Sequence, residues 1–146
     1  ENKTSTHRSI EKESRGDVVK LLDFGVALMD AQTRLTQSGI LVGTINYVAP
    51  EQITKNLYSP AGDIYAMGMI FYEMLVGQSA FPRVTLTEVV EKILAEIPEP
   101  AINLRPDIPA ELNRLVMRLL AKEPAQRPGA ENILSHLKKI EHFNGA

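Results

Sequence analysis

The 146 residues allow one domain or a large part of one, and 44% hydrophobic with 23% charged residues exclude wholesale disorder. Sixteen basic residues against eighteen acidic ones give a net charge of −2, so there is no positive excess for nucleic acid or an anionic membrane surface. The absence of cysteine excludes disulfide frameworks, thiolate zinc sites and thiol nucleophiles, and fits a reducing compartment. The longest apolar stretch, Ile64 to Tyr72, is far short of the ~20 residues a membrane span needs. The first six residues hold no apolar core of a signal peptide. We therefore expect a cytoplasmic chain, although a parent protein could carry an anchor elsewhere. There is no initiator Met, and the chain is expected to be a piece of something longer.

Residues 1–16 are polar and aperiodic and predict an exposed loop or disordered arm, with the folded part over 17–141 and a tail at 142–146. The β-branched and apolar run Val18–Leu22 predicts a short strand ending at Asp23-Phe24-Gly25. Residues 26–58 are irregular, and loops of that length are usually functional. Ser59-Pro60 starts a helix, with the Ser59 hydroxyl expected at the cap and Pro60 at the first helical position, that runs to about Val76 and stops at Gly77. Its side chains are apolar nearly all round, so it should be buried, with Met67, Met69 and Met74 as core filler. Thr85 and Glu88 have capping-box spacing before the stripe Val89, Val90, Ile93, Leu94 and Ile97. A Pro-rich connector runs from Pro98 to Pro109. A third helix from Pro109 carries Leu112, Leu115, Val116, Leu119 and Leu120 on one face. A fourth spans about Ala130 to Ile140, with Ile133, Leu134, Leu137 and Ile140 inward and Lys138 and Lys139 near its negative end.

Four elements stand in a specific order. They are Asp23-Phe24-Gly25 at a strand end, Gly43-Thr44-Ile45-Asn46-Tyr47-Val48-Ala49-Pro50-Glu51, Asp63 ahead of Gly68 in the apolar helix, and Arg127-Pro128 before the last helix. With them the sequence resembles the C-terminal part of a protein kinase catalytic domain, from Asp17 to about Ile140. The residues Pro50-Glu51-Gln52 and Asp63-Ile64-Tyr65 look most like bacterial-type members. The fold this implies is mainly α: the helical C-terminal lobe of the kinase-like fold, with one short N-terminal strand and a long activation segment.

The resemblance implies an ATP- and Mg²⁺-dependent transferase acting on Ser or Thr hydroxyls of protein substrates, because the segment ends Gly-Thr-x-x-Tyr-x-Ala-Pro-Glu. Asp23 would hold Mg²⁺ on the nucleotide phosphates. Phe24 would pack into the core and Gly25 let the chain turn. Thr44 would support the catalytic aspartate and lysine. Glu51 and Arg127 would form a buried pair tying the activation segment, Asp23 to Glu51, to the last helices. Asp63 would accept backbone N–H bonds from the catalytic loop. Thr33, Thr36 and Ser38 are candidate phosphorylation sites, since phosphate there could pair with arginines; a plain hydroxyl-rich loop is the other reading.

The family's base is not found. His7-Arg8-Ser9 lacks the aspartate of His-Arg-Asp, and fourteen positions to Asp23 are too few for the intervening loop and strand. Asn2 fits better as the tail of Lys-Pro-x-Asn, where it would hold a second Mg²⁺; an exposed tail asparagine is the alternative. A Gly-rich loop and a phosphate-binding lysine are also missing. This stretch alone is expected to be a truncated, catalytically incompetent part of a serine/threonine kinase. Its expected partners are protein substrates and the missing N-terminal lobe, with self-association through exposed apolar surface. The alternative is a non-catalytic kinase-like lobe that binds proteins through the 85–97 helix.

Overall fold

The central helix is set by its ends. Pro60 needs no hydrogen-bonded N–H in the first helical turn, and Gly77 takes the left-handed conformation that closes the last, at φ 80°. The structure is a computed structural model that describes residues 19–20, 45–82 and 85–144. Within these it is helical: α1 Pro50–Lys55, α2 Pro60–Val76, α3 Leu86–Ala95, α4 Ala101–Leu104, α5 Ala110–Leu119 and α6 Ala130–Asn144. Short 3-10 turns lie at Ile45–Tyr47 and Pro124–Gln126. No strand occurs among the described residues. Of the expected strand Val18–Leu22, only Val19 and Lys20 are described; neither is in a strand, and Val19 is almost fully exposed.

Helix α2 is the hub. It packs on α5, on the turn 45–47, on α4 and on the turn 124–126, while α6 packs on α5. Tyr65, Met69 and Tyr72 from α2, Val89 and Ile93 from α3, and Val116 from α5 form the main core. Leu115, Leu119 and Ile133 form a second cluster between α5 and α6. The α3 start is the expected capping box: Thr85 Oγ1 accepts from Glu88 N, and Thr85 N donates to Glu88 Oε2 at 2.8 Å.

Several expectations need correction. Ser59 does not cap α2 with its hydroxyl; its carbonyl accepts from Gly62 N at 2.9 Å instead. Helix α2 is not buried all round. Ile70 and Met74, one helical turn apart, are 47% and 74% exposed, so Met74 is not core filler. Leu134 of α6 is 54% exposed rather than inward, while its neighbour Ile133 is buried in the cluster with α5. Helix α6 also continues to Asn144, which takes Lys138 and Lys139 out of its last turn. Within the Pro-rich connector, Ala101–Leu104 forms one helical turn.

Distant cations close two helix ends. Arg105 Nη1 donates to Leu75 O in the last turn of α2 at 2.7 Å, and the same guanidinium bonds Asp107. Lys122 Nζ donates to Ile93 O in the last turn of α3 at 2.6 Å. Both place positive charge where the helix dipole is negative and satisfy carbonyls that the helix leaves open.

Candidate functional site

The segment from Ile45 to Glu51 is the described part of the longest motif in the sequence, and α1 continues it to Lys55. Its backbone turns at 45–47, then enters α1 at Pro50. Gln52 holds that entry: its Oε1 accepts from Ala49 N at 2.7 Å. Helix α1 ends at Asn56, which adopts a left-handed conformation at φ 50°. Tyr47 fastens the segment to α2 by donating its hydroxyl to Glu73 Oε2 at 2.7 Å. That hydrogen bond, with burial and the carboxylate charge, raises the Tyr47 pKa above its ordinary value.

Beneath α1 lies a buried ion pair. Arg127, in the loop ahead of α6, meets Glu51 in a bidentate pair: Nη1 to Oε1 at 2.6 Å and Nη2 to Oε2 at 2.8 Å. The two side chains are 1% and 4% exposed. A guanidinium has five N–H donors. The other three reach Ala61 O at 2.8 Å, Lys122 O at 3.0 Å and Ala121 O at 2.8 Å. Every donor is therefore used, which is the condition for tolerating a buried charge. Burial pushes the Glu51 carboxyl up, but the Arg127 hydrogen bonds and charge outweigh it and hold the carboxyl below its ordinary value. The result is one knot joining α1, the start of α2 and the α5–α6 loop.

Tyr65 lies against this knot, with the Arg127 guanidinium carbon 5.0 Å from its ring centroid. The ring supplies a cation–π face. Its hydroxyl is buried and has no hydrogen-bond partner among the described residues, and burial pushes its pKa well above the ordinary value. A buried unpaired hydroxyl costs about 1–3 kcal/mol. Tyr65→Phe keeps the ring and removes that cost. It is expected to raise the thermal midpoint, by stabilisation of about 1 kcal/mol or somewhat more. A lowered midpoint in a melt followed by circular dichroism would show that the hydroxyl has a partner after all. The Asn46 side chain is also buried, with its Oδ1 unpaired among the described residues.

Asp63 occupies the first turn of α2 and is exposed. The remaining candidates from the sequence, Asn2, Asp23, Phe24, Gly25, Thr33, Thr36, Ser38 and Thr44, lie outside the described residues. Among the described residues no group of three or more His, Cys, Asp or Glu side chains could hold a metal ion. Sequence reasoning missed Lys122. Its ammonium stacks 4.7 Å from the Phe81 ring centroid, and burial pushes its pKa down to about 8. A lysine followed by Glu-Pro gives no warning of that role. Tyr47–Glu73 was equally invisible, because the two residues are far apart in sequence. No described helix is long and apolar enough to cross a membrane.

The family model for the protein kinase domain matches residues 10–137. A serine/threonine-protein kinase, pkn3 of Myxococcus xanthus, is 36% identical over 132 residues, which cover 86% of this chain and 24% of the relative. The serine/threonine-protein kinase PknA of Mycobacterium tuberculosis is 38% identical over 109 residues, covering 75% of this chain and 25% of the relative. The chain thus spans about a quarter of the length of these curated relatives. Among solved structures, the autoinhibited serine kinase domain of the giant muscle protein titin superposes with a TM-score of 0.59 at 29% identity. That match covers 63% of this chain and 29% of the titin chain. A second structure, titin kinase with its flanking domains, gives a TM-score of 0.57 at 32% identity, over 62% of this chain and 17% of that one. With the matched residues running from the polar N-terminal segment into α6, the chain belongs to the protein kinase domain family, as part of such a domain.

Proposed function

We propose that this chain is the helical C-terminal part of a serine/threonine protein kinase that transfers the γ-phosphoryl group of ATP to Ser or Thr hydroxyls of protein substrates. The observation that carries the reading is the knot under α1: Glu51, at the end of the segment, takes two donors of Arg127, and the other three tie it to Ala61, Ala121 and Lys122. Phosphoryl transfer depends mostly on positioning, and a rigid segment beside the reacting groups supplies it. The names of the relatives support the choice of Ser/Thr.

Magnesium, when bound, neutralises charge on the β- and γ-phosphates. On this reading Asp23 and Asn2 hold it. Thr44 orients the base that accepts the substrate proton. Glu51, Arg127 and Asp63 are scaffold, and Phe24 and Gly25 set the position of Asp23. Phosphate on Thr33, Thr36 or Ser38 would order the activation segment.

The test is a chimera in which residues 17–140 replace the matching part of M. xanthus pkn3. With labelled ATP and Mg²⁺ it is expected to phosphorylate Ser/Thr peptides but not Tyr peptides, and Asp23→Ala is expected to abolish transfer. The 146-residue chain alone should give only background. A folded chimera without transfer would overturn the proposal and leave the protein-binding lobe.

The exposed Ile70 and Met74 support a second element of the reading: in a whole domain this face of α2 is covered. Alone, the chain is expected to self-associate in sedimentation and to bind a hydrophobic dye. Ile70→Lys with Met74→Lys should restore a monomer. A monomeric, dye-negative wild-type chain would count against it.

A further inference from the structure

A cleft of about 300 Å³ lies between the loop after α2 and the stretch that follows α3. Tyr72, Phe81 and Pro98, all buried, line its floor. Its rim carries Lys92, Glu96 and Glu99, and Ile97 stands on the lip at 80% exposure. The volume sits at the bottom of the roughly 300–1,000 Å³ range of small-molecule sites, so it suits one or two side chains.

The walls are pre-formed. Tyr72 donates its hydroxyl to Glu99 O at 2.9 Å, which pins the far wall to α2. Lys122 stacks on the Phe81 ring while bonded to Ile93 O, which holds the floor against the end of α3. A fixed site loses little ordering entropy on binding.

The charge selects the occupant. The rim cation Lys92 already lies 3.8 Å from Glu96. The Glu99 carboxylate has no partner among the described residues. Lys122 beneath the Phe81 ring is already bonded to Ile93 O, so an anionic ligand would find no unengaged cation on the rim, whereas a cation beside an apolar group would meet Glu99 and the exposed Ile97 together. We propose that this cleft docks an extended segment of a partner protein that presents an apolar side chain next to lysine or arginine. The apolar side chain sits over Tyr72 and Phe81 against Ile97, and the basic group pairs with Glu99. The proposal does not depend on phosphate transfer.

The experiment is fluorescence anisotropy with the full chain and a labelled Ser-Leu-Arg-Lys-Ser peptide. Two control peptides carry Glu in place of both basic residues, or Ser in place of Leu. The first peptide is expected to bind at least tenfold more tightly than either control. Glu99→Lys and Ile97→Asp should each weaken it at least tenfold with an unchanged melting midpoint, since both side chains are exposed. Glu131→Lys, on α6, should change nothing. Equal binding of basic and acidic peptides, or binding indifferent to both cleft substitutions, would overturn the proposal. So would self-association abolished by Ile97→Asp without peptide binding, which would give the cleft to a second copy of the chain.

Discussion

Arg127→Ala is expected to destabilise the fold by about 3–5 kcal/mol, the range for removing one partner of a buried pair. The structure shows why the upper half of that range applies. The substitution takes two donors from the Glu51 carboxylate and one each from the carbonyls of Ala61, Ala121 and Lys122, five hydrogen bonds lost together. Arg127→Lys should recover little, because an ammonium has three donors and cannot span the planar fork that serves five acceptors. Exchanging the two charges restores opposite signs but should fail as well, since a carboxylate at position 127 would face three carbonyl oxygens. Acid provides an independent reading. The Glu51 carboxyl is held below its ordinary value of 4.5, so the pair's contribution is complete above that pH. It is lost as pH falls through the lower, folded value. Denaturation midpoints measured from pH 6 downward should show this loss in the wild-type chain and less of it in Arg127→Ala. An unchanged midpoint in Arg127→Ala at neutral pH would mean that the knot holds nothing.

What the sequence could reveal follows from how local each signal is. The ends of α2 were legible because Pro60 and Gly77 act through their own backbone, and the start of α3 because Thr85 and Glu88 bond each other. Helix α1 was hidden inside a stretch read as irregular: six residues are too few to show a period, although Pro50 at its first position was a usable sign. The single turn Ala101–Leu104 was hidden for the same reason. Burial was legible only where an apolar residue has a partner element. Met69 and Met74 look alike in sequence, yet one is fully buried and the other 74% exposed, because Met69 packs in the main core and Met74 does not. In the knot, sequence order could nominate Glu51 and Arg127. The three backbone carbonyls that complete the coordination carry no sequence signal, since every residue has one. The same holds for Lys122, whose partners are a carbonyl and a ring brought in by the fold.

Gly68→Ala is expected to destabilise the chain, although helix propensity alone favours Ala over Gly by about 1 kcal/mol in a helix interior. Gly68 lies where α2 crosses α5. A Cβ there would sit 2.7 Å from Leu119 Cβ, 3.0 Å from Leu120 Cδ2 and 3.3 Å from the Leu119 carbonyl carbon. Leu120 Cδ2 is the tip of a side chain and can swing aside. Leu119 Cβ and its carbonyl carbon are fixed by the backbone of α5, so relief requires the two helices to part. Parting them loosens the cluster of Leu115, Leu119 and Ile133 that ties α6 to α5. Overpacking of this kind costs about 1–3 kcal/mol and, with relief blocked by backbone, should exceed the propensity gain, leaving a net loss of about 1–2 kcal/mol. Gly62→Ala is the control: its new Cβ meets only the end of the Gln52 side chain, at 3.1 Å, so the cost should be smaller. A double mutant sharpens the argument. If the obstacle were a side-chain tip, Leu119→Ala would relieve Gly68→Ala. Because the obstacle is the β-carbon that alanine retains, the pair should show no rescue, and the cavity left by Leu119→Ala should add a further loss of about 2–5 kcal/mol. Thermal and urea denaturation of the two single mutants and the double mutant would measure this coupling. A raised midpoint in Gly68→Ala would mean that α2 and α5 stand farther apart in solution than 2.7 Å allows.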